Sequence, residues 1–353
     1  GAPPPAPSSY GAPPPPGYGA PPPPGYGAPP PPGYRAPPPR MEHRPGIIPL
    51  RPLALGEIWG GVFATVRGNP AATLGLALLT TAVALVPTTA LAIWLAGQDL
   101  ALAEIIVLDS DVASDPYLTA TLASYVPALA MWVVSILLPL FVALVVGHAI
   151  QGRKVTLGQT WQQTKGRILT AVATTLLVLA MFIALIAALI LALVLVWSID
   201  STGLAATGSV LAIVAATAGG IYLWVKVGFA VSIVVLEGAG ARRAIGRSWQ
   251  LTRRGQFWRI FGIRLLTTIV ATIAGSIVAT PIALIALFAS GDPDASALRW
   301  VLPLTQAVSV LVQGVLVTPF VSGVDSLLYV DQRMRREGLD VQLMQQLHTS
   351  PST

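Results

Sequence analysis

Apolar residues form six long stretches along this chain, separated by shorter polar segments. The stretches lie at residues 71–96, 126–150, 168–197, 204–236, 260–288 and 301–330. Each is long enough to cross about 30 Å of hydrocarbon, which takes roughly 20 helical residues. The stretches lack the two-residue alternation of transmembrane β-barrel strands. The pattern therefore predicts an all-α polytopic membrane protein with six transmembrane helices.

A short motif, in which tryptophan follows glycine by three residues, precedes every second stretch. The glycine and tryptophan of the three copies are Gly56 and Trp59, Gly158 and Trp161, and Gly246 and Trp249. Around the first copy, apolar residues recur at spacings of three and four, which is one face of a helix. We therefore expect three hairpin modules, at about 55–150, 157–236 and 245–330, each preceded by an amphipathic interfacial helix.

Basic and acidic residues are segregated between alternate connecting segments. Arginine and lysine precede the first stretch, lie between the second and third and between the fourth and fifth, and follow the sixth. The other three connections are acidic, with Arg299 as their only cation. Because positively charged segments stay in the cytoplasm, both termini are predicted to be cytoplasmic. The net charge of +6 then indicates a basic inner face against anionic lipid headgroups. We expect no nucleic-acid partner, since no nucleic-acid-binding motif accompanies these residues.

The first 45 residues have a different composition from the rest. The octapeptide GAPPPPGY is repeated at residues 11–18, 19–26 and 27–34, and such proline runs favour extended polyproline II conformation. With almost no bulky aliphatic side chains, residues 1–45 are predicted to be a disordered tail. Two roles stay open, a spacer and a multivalent ligand for protein partners.

The membrane domain is predicted at residues 46–341, and a short C-terminal tail at residues 342–353. The chain begins with Gly1 rather than methionine. A fragment of a longer chain and a natural start at Met41 are both compatible with this.

Arginine and tryptophan in the third motif copy are candidates for binding lipid headgroups or protein partners. They are Arg247, Trp249, Arg253 and Arg254. A guanidinium group binds phosphate through two hydrogen bonds, and tryptophan favours the headgroup layer. The alternative is that these helices only anchor the bundle at the inner surface.

Polar residues within the apolar stretches form a candidate buried network. They are Lys226, Arg264, Gln306, Gln313 and Asp325. Charges at membrane depth are rare and often functional. Lys226 lies about 15 Å from the basic end of its stretch, at about 1.5 Å per residue.

Arg264 and Asp325 lie at similar depths, so they predict an ion pair between the fifth and sixth helices. Extension of both side chains to the headgroups is the alternative. Gln306 and Gln313 share a helix face with Ser309, and these groups either join helices by hydrogen bonds or line a transport route.

The residue types that support catalysis are scarce. The chain has no cysteine, and its histidines, His43, His148 and His348, are far apart. Metalloprotease, serine-hydrolase and P-loop motifs are absent. We therefore expect no enzymatic activity, no cofactor and no metal site.

Three segments resemble one known family. They are residues 45–58, residues 236–260 and residues 329–340. They are similar to actinobacterial proteins that carry a glycerophosphoryl diester phosphodiesterase membrane domain. The resemblance implies a six-span domain, sometimes fused to a soluble phosphodiesterase, in a bacterial plasma membrane. It does not imply that activity, because the paired histidines and carboxylate cluster of the phosphodiesterase barrel are lacking.

Two hypotheses for function follow from these observations. The first is a non-enzymatic integral membrane protein that acts as a scaffold or partner-docking protein. The alternative is a transporter or lipid-handling protein with a cavity between the helical modules.

Overall fold

Eleven α-helices account for most of the residues that the structure describes. In this computed structural model, these are residues 1, 46–49, 51–96, 121–199, 201–253, 255–289 and 295–339. Apart from Gly1, the two predicted tails lie outside these ranges. Arg254 also lies outside them. No strand occurs in the ranges described.

The helices follow one another with short connections. They are α1 (Leu55–Gly68), α2 (Leu76–Ala96), α3 (Leu129–Ile150), α4 (Leu157–Lys165), α5 (Ile168–Trp197), α6 (Thr202–Val227), α7 (Ala230–Glu237), α8 (Ala241–Leu251), α9 (Phe257–Ala289), α10 (Ala295–Val312) and α11 (Thr318–Glu337). A π-helical turn at Ala71–Gly75 precedes α2, and another at Gln313–Val317 joins α10 to α11.

Six helical segments of the described chain are long and apolar enough to cross a membrane, as the sequence predicts. They are Ala71–Ala96, Thr121–Ile150, Ile168–Trp197, Thr202–Glu237, Phe257–Ile285 and Trp300–Glu337. Their bounds agree with the predicted stretches to within a few residues, except that the sixth continues to Glu337. The prediction of an all-α polytopic membrane protein is confirmed.

The three predicted interfacial helices are α1, α4 and α8. In each copy of the motif, the residue before the tryptophan and the residue four positions later are fully or almost fully buried. These pairs are Ile58 and Val62, Thr160 and Thr164, and Ser248 and Thr252. Residues four apart lie on one side of a helix, so the three copies bury the same face. The glycine of the motif faces open space in all three.

A short turn separates the third interfacial helix from span five. α8 ends at Leu251 and α9 begins at Phe257. Between them, Gly255 has a φ of +77°, which favours glycine because it has no β-carbon. The chain therefore turns here and begins span five.

The buried core is concentrated where α1, the second half of α3, α7 and the second half of α11 meet. Its largest fully buried side chains include Phe141, Phe229, Ile233 and Tyr329. Elsewhere the helices expose apolar side chains. In span three, none of the residues in the most apolar 18-residue stretch is buried. Such surfaces suit contact with lipid rather than water.

We call the end of the bundle formed by α1, α4, α8 and the C-terminus of α11 the basic end.

Candidate functional site

Span four is broken at the basic end, between α6 and α7. The break lies at Gly228 and Phe229. Ser248 of α8 binds both sides of it: its hydroxyl donates to the Lys226 carbonyl at 2.7 Å and accepts from the Phe229 N–H at 3.2 Å. Unpaired backbone groups are costly inside a membrane protein. The interfacial helix therefore supplies the hydrogen bonds that make the break possible.

Arg264 and Asp325 join spans five and six beside this break. Arg264 Nε donates to Asp325 Oδ1 at 2.8 Å, and Nη2 donates to Oδ2 at 3.1 Å. Arg264 Nη1 donates to the Trp224 carbonyl, and the guanidinium lies over the Trp224 ring, 4.3 Å from its centroid. The ion pair expected from the sequence is present, and it also anchors the end of α6.

Lys226 is buried and contacts α8. Its Nζ donates to the Thr252 carbonyl at 3.2 Å and lies over the rings of Tyr222 and Trp249, at 5.2 and 5.6 Å from their centroids. Span four includes both α6 and α7 and ends at Glu237, so the depth of about 15 Å expected from the sequence stays a prediction.

A second cluster joins the C-terminal ends of α7 and α11. The Tyr329 hydroxyl donates to Glu237 at 2.6 Å, and Arg247 donates to both Glu237 oxygens at 3.3 Å. Arg247 also pairs with Glu337, which accepts from Arg333 at 3.0 Å. Burial disfavours the charged form of Arg247, but the two carboxylates outweigh this effect and raise the pKa of its guanidinium above the ordinary value. The two carboxylates therefore keep Arg247 charged and fix the position of its side chain.

Asp331 is the centre of a third cluster and is fully buried. It accepts from the Leu53 N–H at 2.7 Å, from Arg259 at 2.6 Å and from Arg335 Nε at 3.0 Å. Both arginines also donate to the Leu53 carbonyl, at 2.7 and 3.1 Å. One carboxylate thus holds the segment before α1, the start of α9 and the end of α11 together.

The candidate lipid- or partner-binding residues have different environments. Arg247 is engaged by two carboxylates, and Trp249 packs edge-on against Tyr222. Arg253 is exposed and makes no ion pair with the residues that the structure describes. Arg254 lies outside those residues. Of this set, Arg253 is the side chain whose described surroundings leave it open to a ligand.

The predicted buried network is divided between separate places. Arg264 and Asp325 contact one another, and Lys226 contacts α8 instead. Gln306 is half-buried on α10, whereas Gln313 is exposed. Gln313 lines a cavity of about 250 Å³ between α9 and α10. The hydroxyl-bearing residues that share this lining are Thr272, Ser276, Thr280 and Ser309. Lys226 does not contribute to this lining.

Sequence reasoning missed three residues with central positions. They are Ser248, Glu237 and Asp331. The spacing of Asp331 and Arg335, four residues apart, is a local signal of an ion pair on one helix face. For Glu237 and Ser248 the partners lie on other helices, so no local pattern indicates them.

The chain belongs to a protein family whose members share this domain. Residues 54–329 match the family described as Domain of unknown function (DUF7847). This region contains all six predicted hydrophobic stretches, apart from the last residue of the sixth. No curated protein and no solved structure matches the chain. The resemblance to the glycerophosphoryl diester phosphodiesterase membrane-domain family stays a prediction.

Proposed function

We propose that this chain is a non-enzymatic integral membrane protein that acts as a scaffold or partner-docking protein. In this proposal it lies in a bacterial plasma membrane with both termini and the basic end in the cytoplasm. The observation that carries the proposal is that Lys226, Arg264 and Asp325 contact neighbouring helices. Their contacts stabilise the bundle, and none of the three lines the cavity at Gln313.

The charge that remains accessible supports a docking role. Arg242, Arg243 and Arg253 are exposed at the basic end, beside a rigid frame made by the clusters at Glu237 and Asp331. A fixed array of cations favours association with an acidic partner or an anionic membrane surface. The repeated proline- and tyrosine-rich tail would add a second, multivalent contact.

Site-specific photo-crosslinking in native membranes tests this proposal. A photoreactive residue at position 243 of the full chain should give a discrete crosslinked protein, and one at position 278 should not. Val278 is the matched control because it is an exposed apolar residue on α9. Absence of any discrete product from positions 242, 243 and 253 would contradict docking at the basic end. If a variant without residues 1–40 gives the same crosslinked product, the tail does not contribute to docking.

The cavity at Gln313 supports a second candidate, a transporter or lipid-handling protein. An amide and four hydroxyl groups lie among apolar side chains in the lining of a recess of about 250 Å³. Under this alternative, native mass spectrometry should detect a retained lipid or solute that Gln313→Leu removes. If the Gln313→Leu variant retains the same lipid or solute, the scaffold proposal is favoured. The scaffold proposal is also favoured if the wild-type protein retains none.

A further inference from the structure

A groove at the basic end lies between span three and the start of α8. It has a volume of about 680 Å³, and it is lined by Ala173, Leu176 and Leu177 of α5 and by residues 240–243. A β-carbon at Gly240 would meet open space, so this side of the groove is unfilled. One wall of the groove is therefore apolar, and the other carries the guanidinium groups of residues 242 and 243.

The apolar wall continues along span three beyond the groove. Leu177, Ala184 and Leu191 recur at seven-residue spacing, which places them on one face of α5, and all three are exposed. Residues 176–191 include no polar side chain. From Ala173 to Leu191 this face is about 27 Å long, at about 1.5 Å per residue, close to the roughly 30 Å of the hydrocarbon core. An acyl chain that enters the groove can therefore continue along α5 in apolar contact.

The two arginines in the groove have no counter-ion among the residues that the structure describes. Arg242 and Arg243 are exposed and form no ion pair there. Arg167, at the start of α5, is a third cation nearby, with Nη2 3.7 Å from the position of a β-carbon at Gly238. The adjacent carboxylate, Glu237, is already engaged in the cluster that joins α7 and α11. The excess of cations favours an anionic group.

The combination of charge and apolar surface in one groove defines the occupant. A soluble anion has no apolar part to cover span three, and a zwitterionic lipid has no net negative charge for the arginines. An acidic protein segment would have to leave water to reach the exposed face of a span, which is costly for its carboxylates. Basic pockets between transmembrane helices at the cytoplasmic side bind anionic lipid headgroups. An anionic phospholipid complements both walls.

We propose that this groove binds an anionic phospholipid, with its headgroup phosphate at Arg242 and Arg243 and an acyl chain along span three. A guanidinium group binds phosphate through two hydrogen bonds, and the contact of the acyl chain with α5 holds the lipid in one orientation. The inference goes beyond the docking proposal and does not depend on it. A lipid can occupy the groove whether or not a protein partner binds at the basic end.

Lipid binding to the purified full chain in detergent tests the proposal. Native mass spectrometry measures the affinity for phosphatidylglycerol, with phosphatidylcholine as the neutral comparison. Arg242→Gln with Arg243→Gln should weaken phosphatidylglycerol binding by about tenfold or more, because two charge-assisted contacts are lost. The matched control is Arg153→Gln with Lys154→Gln, which removes the same charge from an exposed pair at the same end. This control should stay within about twofold of wild type.

A second variant tests the apolar wall without a change of charge. Ala173→Leu places a larger side chain in the groove and should weaken phosphatidylglycerol binding severalfold, because the side chain and the acyl chain compete for the same volume. Ala274→Leu, at an exposed position of α9, is the matched control and should bind as wild type does.

Several results would overturn the proposal. They are absence of phosphatidylglycerol binding, equal affinity for the two lipids, equal weakening in the arginine variant and its control, and binding that Ala173→Leu leaves unchanged. In the last case, displacement of phosphatidylglycerol by inorganic phosphate would identify a soluble anion as the ligand of the arginines. If the double arginine variant does not fold, Arg243→Gln alone replaces it, because that side chain is exposed.

Discussion

Arg264 of α9 and Asp325 of α11 form a two-bond ion pair, with Nε–Oδ1 and Nη2–Oδ2 distances of 2.8 and 3.1 Å. The side chains are 8% and 17% exposed. Because Arg264 also donates to the Trp224 carbonyl, this pair connects spans four, five and six. The geometry makes the pair a tertiary link and not a local feature of one helix.

Removal of one member of this pair should destabilise the bundle strongly. Arg264→Gln or Asp325→Asn leaves its partner charged and without a counter-ion, at a cost of about 3–5 kcal/mol in unfolding free energy. Arg264→Leu combined with Asp325→Leu should cost less than the sum of the two single changes. Unfolding in mixed micelles measures this, with exposed Arg243→Gln as the control. Single variants as stable as the control would contradict the role of the pair.

Gly228 should not tolerate a side chain. A β-carbon at this position would overlap the Arg264 guanidinium, so Gly228→Ala must displace the ion pair or open the break in span four. The matched control is Gly246→Ala in α8, where a β-carbon meets open space. That change should be neutral or stabilise by about 0.5–1 kcal/mol, because alanine favours helix more than glycine does. Thermal unfolding in detergent compares the two variants, and equal effects would refute this explanation.

Loss of the Ser248 hydroxyl should destabilise the helix bundle more than loss of the Thr160 hydroxyl, its counterpart in the second module. Ser248→Ala leaves the Lys226 carbonyl and the Phe229 N–H without their partner, at a cost of about 1–3 kcal/mol for each buried group. Thr160→Ala is the matched control, since the Thr160 hydroxyl donates to its own helix at the Thr156 carbonyl. Hydrogen exchange at the Phe229 amide should increase in Ser248→Ala and not in Thr160→Ala. An unchanged exchange rate at Phe229 would show that Ser248 does not hold the break.

Asp331→Ala should release the segment that precedes α1. Asp331 accepts from the Leu53 N–H, and its loss leaves Arg259 and Arg335 without their shared carboxylate. The Leu53 amide should then exchange faster with solvent, and unfolding should occur at a lower temperature. Arg243→Gln provides the comparison, as an exposed change at the same end. Protection of Leu53 at the wild-type level would mean that the arginines alone hold this segment.

The predicted topology is open to labelling, because the chain has no native cysteine. A single thiol at position 111 should react with an impermeant reagent on intact cells, and one at position 243 should react only after lysis. The reason is the cationic character of the segment around position 243, which favours retention in the cytoplasm. The reverse pattern would invert the orientation, and with it the side of the membrane proposed for docking.

Several structural features can be predicted from particular residues. The Arg264–Asp325 pair is one, because both residues are charges at similar depth in neighbouring spans. The motif helices are another, since their three- and four-residue spacing defines a buried face. The Glu237 cluster is different. Its partners come from α8 and α11, and which of the nearby arginines reach this carboxylate depends on how α8 folds back.

The sequence alone determined the class of protein, the six membrane spans and the three motif helices. The class and the spans follow from the favourable transfer of continuous apolar segments from water to lipid. The motif helices follow from the helical spacing of their apolar residues. Both are local properties of the sequence. The tertiary structure decided which charges are paired, where span four breaks and which of the candidate arginines is exposed. Leu53 and Asp331, for example, are 278 residues apart, and only the packing of the helices brings such groups within hydrogen-bond distance.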